Sequence, residues 1–266
     1  MKRAAWNKFV KARDQYRTAI EELRRSLPKL RSVQQKLIDS RTPEKSSGSA
    51  GSGKTGNLTY TVETPIVYNG ALDDVTSGDE IRLILVADNP GRREQVAENR
   101  RYLVGPSGKI AEKFFRDHPG LGIDFRKNAI ILNKTPIHTP RTAELRELCR
   151  LGSPALAKAL VESQRTMARL LLEFHQALTT GADKSSLLVW IIGYSEMKKG
   201  GIFETYTEEI QNLYCKNRLK EDILLYRHFS MNQFTIDLNQ QAAPKENITE
   251  SLARIGAAYR QRILGW

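Results

Sequence analysis

The sequence predicts a three-layer α/β/α fold: a central, mostly parallel four-stranded sheet with an N-terminal helical extension. Three observations predict it. Four short apolar runs, at 81–87, 128–133, 187–192 and 223–227, are continuous rather than alternating, as strands buried on both faces are. Helical patterns at 108–116, 142–150, 154–178 and 206–219 separate them, the connection that parallel strands require. A last amphipathic segment, 248–263, closes the chain.

The N-terminal part reads differently. Trp6, Phe9, Val10, Tyr16, Ile20, Leu23 and Leu27 recur at helical spacing, Pro28 interrupts, and Leu30, Val33, Leu37 and Ile38 continue a second helix. Residues 1–40 are therefore expected to form a basic helical extension, 41–57 a Ser/Gly-rich linker, and 58–266 the α/β domain. Residues 1–57 hold fourteen lysines and arginines against five acids, most of the chain's net charge of +12. A phosphate backbone is the natural partner of such an arm. Its apolar face, with Trp6, Phe9 and Leu23, is also expected to pack partly on the domain.

Composition excludes several classes. The chain of 266 residues is 40% apolar, enough for a sizeable core. No apolar run approaches the roughly 20 residues of a membrane span, and the basic N-terminus lacks the apolar core of a signal peptide. Cys149 and Cys215 are the only cysteines and stand far apart, which disfavours a disulfide scaffold, a structural zinc site and an iron–sulfur cluster. A cytoplasmic monomer without metal or cofactor is expected. The run 48–55 fits GxxxxGK[ST], but a phosphate-binding P-loop needs a strand before it and a helix after it. Here a Ser-rich tract precedes and a strand-like segment follows, which argues against an NTPase.

In sheets of this kind ligands sit beyond the carboxyl ends of the strands. The first predicted strand leads into Asp88-Asn89-Pro90-Gly91, the second ends at Asn133, the third leads into GYSEMKKGG, and the fourth into His228-Phe229-Ser230. An acid, two amides and a histidine thus meet on one rim. That set can orient a water, read a base edge and stabilise a leaving anion. Each also has a plain structural reading: Asp-Asn-Pro-Gly is a turn sequence, and Asn at a strand end is a common cap.

These segments, in this order, resemble the uracil-DNA glycosylase superfamily over roughly residues 80–235. LILVADNPG resembles its first motif, a strand leading into GxxPG; Asp88 stands where GEAPG branches carry an acid, and Asn89 where GINPG branches carry an amide. RRYLVGPSGKIAEKFF is similar to the GRPFVGxxGxLL stretch, NAIILNKTPIHTP to the strand ending in a base-reading asparagine, LLVWIIGYSEMKKGG to LLxWGxxAxxK, and RHFS to the HPS motif. There are departures. The four cluster-binding cysteines of one branch are missing, Leu103 replaces the phenylalanine that stacks on uracil, and Phe229 replaces the proline of HPS. The duplex-wedging leucine falls near Asn232, beside Met231, and the N-terminal helices have no counterpart.

The resemblance implies a DNA glycosylase that flips a pyrimidine-type base out of DNA and hydrolyses its glycosidic bond. Asp88 would activate water or stabilise the cation, assisted by Asn89, while His228 would donate to a base carbonyl. Asn133 would read the flipped base, with Tyr102 and Leu103 lining the pocket. DNA contacts would come from Arg92, Arg93, Arg100, Arg101, Ser107, Lys109, Lys198, Lys199, Ser230, Met231 and Asn232. Loss of the aromatic stack at Leu103 leaves two targets open. One is uracil, in repair. The other is a bulkier modified cytosine of phage DNA, such as a glucosylated hydroxymethylcytosine, in anti-phage defence. The rival expectation is a catalytically silent nucleic-acid-binding protein on the same fold.

Overall fold

The computed structural model describes residues 1–40, 60–180 and 187–266. The expected linker and the P-loop-like run within it lie outside the described residues. Among these residues four strands form one parallel sheet: β1 (Leu83–Ala87), β2 (Ala129–Asn133), β3 (Leu188–Ile192) and β4 (Ile223–Tyr226), in the order β2-β1-β3-β4. Their side chains are largely buried, as expected where helices cover both faces.

Register fixes the site. Ala87 pairs with Asn133, Val86 with Ile191, and Ile192 with Tyr226. The four carboxyl ends are therefore level. One residue further on stand Asp88, Lys134, Gly193 and Arg227, a single row along the sheet edge.

Among the described residues eight α-helices surround the sheet: α1 (Arg3–Ser26), α2 (Leu30–Asp39), α3 (Pro106–Asp117), α4 (Glu144–Leu151), α5 (Pro154–Thr179), α6 (Glu204–Tyr214), α7 (Gln233–Gln241) and α8 (Ile248–Leu264). Phe115 of α3 and Phe234 of α7 lay their rings on Trp190 of β3, at 5.3 and 5.8 Å between centroids. α8 packs along β4 and starts on a capping box formed by Asn247 and Glu250. α5 runs against β2 and carries α1 on its flank.

Two elements differ from expectation. The helix expected over 206–219 stops at Tyr214, because the Asn217 side chain accepts the Leu219 N–H and opens a 3-10 turn at Arg218–Asp222 instead. The short helix α7 was not anticipated, its nine residues being too few for a clear period.

The N-terminal extension is not a separate arm. Ala5, Phe9, Ala12, Tyr16 and Ile20 of α1 are buried, most of them in the same core as the sheet. Phe9 meets Phe174 of α5 edge to face at 5.3 Å. Arg24 donates twice to the carbonyl of Ile66. Truncating a buried aromatic side chain leaves a cavity and costs roughly 3–5 kcal/mol. Phe9→Ala is therefore expected to lower the unfolding free energy of the whole protein by that amount, read as a lower chemical-denaturation midpoint at unchanged slope. An unchanged midpoint would return α1 to the status of an independent arm.

Candidate active site

Asp88 follows β1 directly and is buried. Its Oδ1 accepts from the ammonium of Lys134 at 2.5 Å, and its Oδ2 from the hydroxyl of Thr142 at 3.1 Å. Lys134 is 0% exposed and donates also to the carbonyl of Ile192 at 2.5 Å. The Lys134 N–H returns to the Ala87 and Asp88 carbonyls. One lysine from the end of β2 thus ties β1 and β3 together at the rim. Burial pushes its pKa down, and the Asp88 carboxylate opposes that fall. Gly193 presses against the same carboxylate: a Cβ there would lie 2.4 Å from Oδ1, and its φ of +82° is glycine territory.

Asn89 is a bracket. Its Nδ2 donates to the Thr139 hydroxyl at 2.9 Å and carbonyl at 3.2 Å, and its Oδ1 accepts from Thr142 at 3.1 Å. The amide expected to assist Asp88 is thus engaged in holding the turn that presents Thr142. Asn133 is 1% exposed, and its Nδ2 has no hydrogen-bond partner among the described residues. An orphaned buried donor is uncommon and calls for an acceptor. Successive strand residues face opposite sides, so the chain turns Lys134, not Asn133, towards Asp88.

His228 follows β4 and is half-buried. Its Nδ1 lies 3.0 Å from the Ser230 N–H and accepts it, so the ring's proton sits on Nε2. Burial pushes the imidazole below its ordinary pKa and Lys134 adds to the fall, while the charge of Asp88 opposes it. The result is a neutral ring with one donor, electrostatically in reach of Asp88. Next comes a tight turn in which Met231 and Asn232 both adopt left-handed backbone, with φ of 52° and 57°. Two adjacent non-glycine residues of this kind store strain of about 1–3 kcal/mol each. The turn holds Met231 84% exposed, while Phe229 beneath is buried on Phe234.

Other expected site residues sit elsewhere. Tyr102 is fully buried, its hydroxyl donating to the Val67 carbonyl and meeting that of Tyr16, each at 2.7 Å. It is a packing residue, not a wall of an open pocket, because its ring and its polar tip are both enclosed. Leu103 is also buried, on a turn with φ of 52°. Gly108 allows that turn, since a Cβ would fall 1.5 Å from the Leu103 carbonyl oxygen. Arg101 is half-buried and paired with Asp74 at 3.1 Å. Ser107 lies half-buried in the first turn of α3. Arg92, Arg93, Arg100, Lys109, Lys198, Lys199, Ser230 and Asn232 are exposed, with Arg92 lying over the Tyr60 ring.

Sequence reasoning missed Lys134, Thr142, His138 and Glu94. No pattern separates Lys134 from a solvated lysine; only the register turns it inward. Glu94 is nearly fully buried and accepts the N–H groups of Gly91 and Leu103, joining the loop after β1 to the Leu103 turn. Burial pushes its carboxyl up to about 7, against those two donors and Arg126. A cavity of about 480 Å³ beside it, lined also by Arg17, Arg24, Asp73 and Arg100, does not include Asp88, Asn133 or His228. Among the described residues no group of three or more His, Cys, Asp or Glu side chains is placed to hold a metal ion.

Comparison with protein-family models and with curated proteins found no match to the chain.

Two predictions follow from these buried charges. Lys134→Met leaves the Asp88 carboxylate uncompensated and is expected to lower stability by about 3–5 kcal/mol. Adding Asp88→Asn should recover part of that loss in denaturant unfolding. Equal midpoints for wild type and Lys134→Met would show that the pair does not hold the rim. For Glu94, a folded-state pKa raised to about 7 from 4.5 means that the unfolded chain ionises first. Stability then falls as pH rises from about 4.5 to 7, by up to roughly 3 kcal/mol. Glu94→Gln should flatten this dependence, and identical pH profiles for the two proteins would contradict it.

Proposed function

We propose that the chain is a DNA glycosylase that hydrolyses the N-glycosidic bond of a flipped pyrimidine-type base. One observation carries the reading. A buried carboxylate held by Lys134 and Thr142 shares a rim with a neutral histidine whose only ring proton is on Nε2. Bond cleavage sends the bonding electron pair onto the base and leaves positive charge on the sugar. Asp88 stabilises that cation and takes the proton of the water that adds to the anomeric carbon. The Nε2–H of His228 hydrogen-bonds the departing base anion at a carbonyl oxygen. Preorganised groups of this kind act strongly because they need not reorganise as charge develops.

Other features support the reading. Flipping a base costs a few kcal/mol, and the exposed Met231 at the strained tip beside His228 is suited to fill the vacated stack. Arg92, Arg93, Arg100, Lys109, Lys198 and Lys199 are exposed and suited to phosphate contacts. Neither Tyr102 nor Leu103 offers an aromatic face for stacking, so target choice rests on hydrogen bonding and room. Uracil and a modified cytosine such as glucosylated hydroxymethylcytosine are the two targets, corresponding to repair and to anti-phage defence in the cytoplasm. A second reading draws on both Asp88 oxygens already having protein partners: a silent nucleic-acid-binding protein on this fold.

Abasic-site formation on oligonucleotides carrying uracil, mismatches or modified cytosines tests the proposal. Wild type is expected to yield alkali-labile sites on at least one of them. Asp88→Asn and His228→Ala should each slow the reaction about 100- to 1,000-fold while leaving DNA binding intact. Met231→Ala should weaken excision from duplex more than from single strands. DNA binding without abasic sites on any substrate would favour the silent protein.

A further inference from the structure

We propose that helix α2 positions the candidate catalytic loop 88–95, with Gln34 and His138 as the positioning residues. The effect on rate rests on the glycosylase reading; the mechanical tie does not.

Gln34 is 1% exposed, on the inner face of α2. Its Nε2 donates to the carbonyls of His138 at 2.7 Å and of Pro65 at 2.9 Å. Both neighbours are carbonyl oxygens, so only the amide nitrogen can face them. Its Oε1 is left buried without a partner among the described residues. An apolar side chain would fill the site without an orphan acceptor. What the glutamine supplies is the double donation.

From there two paths reach the loop. His138 is fully buried, and its Nδ1 donates to the carbonyl of Pro90 at 2.8 Å while its Nε2 accepts the Tyr60 hydroxyl at 2.7 Å. The carbonyl can only accept, which fixes the ring's tautomer. The other path runs through residues 61–64. α2 holds them by Gln35 Oε1, which accepts the Val62 N–H at 3.0 Å, and by Arg31, which donates to the Glu63 carbonyl. Gln95 then closes on them, its Oε1 accepting from the Glu63 N–H at 2.7 Å and the Thr64 N–H at 3.3 Å. Between the paths, Val67 N–H to Pro136 O at 2.9 Å and His138 N–H to Pro65 O at 3.0 Å pair the two segments. Pro90 and Gln95, near the two ends of the loop, thus both rest on α2 through a hydrogen-bonded plate. Asn89, between Asp88 and Pro90, is held from the same 137–142 segment.

The test is Gln34→Met in the full chain, a change close in shape that removes the donors. Amide hydrogen exchange reads the loop directly. Residues 88–95 are expected to exchange about tenfold faster, with β3 and β4 unchanged. On a substrate that wild type cleaves, kcat should fall about tenfold with KM within twofold, since a displaced catalytic group loses rate before binding. The effect of Gln34→Met on the rate should vanish in an Asp88→Asn background. Should Gln34→Met not fold, His138→Phe takes the same measurements: it removes the donor to Pro90 together with the acceptor of the Tyr60 hydroxyl, and keeps the His138 carbonyl that Gln34 holds. Exchange unchanged at 88–95, or raised equally in every strand, overturns the proposal. Faster exchange at 88–95 in a protein that forms no abasic sites upholds the tie and removes only the glycosylase reading.

Discussion

The buried pair of Asp88 and Lys134 is the constraint on which the rim depends. A carboxylate and an ammonium taken out of water are costly unless each finds its partners at close range. Here they do: Lys134 reaches Asp88 and the Ile192 carbonyl, and Thr142 takes the second carboxylate oxygen. The same contacts fix the ends of β1, β2 and β3 relative to one another. Gly193 is part of that constraint, because a side chain there would collide with Asp88.

Around this pair the protein places groups in conformations they would not adopt alone. Leu103, Met231 and Asn232 lie in left-handed backbone without being glycine. Each is held by its surroundings: the Leu103 turn by Glu94, Arg126 and the bare backbone of Gly108, the Met231 tip by the packing of Phe229 beneath it. Strain that persists in this way collects where geometry matters for function. His228 belongs to the same economy of charge, since burial and Lys134 keep it neutral and Ser230 keeps its proton on Nε2.

The N-terminal helices carry two signals on one element. Their charge suggests a phosphate partner and their apolar face suggests packing; one face of α1 does lie in the core, and α2 bears on the loops behind Pro90. Both readings use the same residues, because an amphipathic helix can bury one face and expose its lysines on the other. Tyr102 is the opposite case. Position in a motif marked it as a pocket wall, and packing against Tyr16 and Val67 made it core.

Strand and helix periods, the parallel sheet and the placing of Asp88 and His228 just past strand ends were legible in the sequence. These are local properties: apolar runs bury, helical spacing makes a face, and a parallel sheet puts its loops on one rim. What only the tertiary structure decided is which neighbours the buried polar groups choose. Register carried Lys134 level with Asp88, where the chain alone shows a lysine after an asparagine. Thr142, His138 and Gln34 come from segments distant from Asp88 in sequence, and no spacing rule relates them. A buried polar group is defined by the partner that satisfies it, and that partner is fixed only when the chain has folded around both.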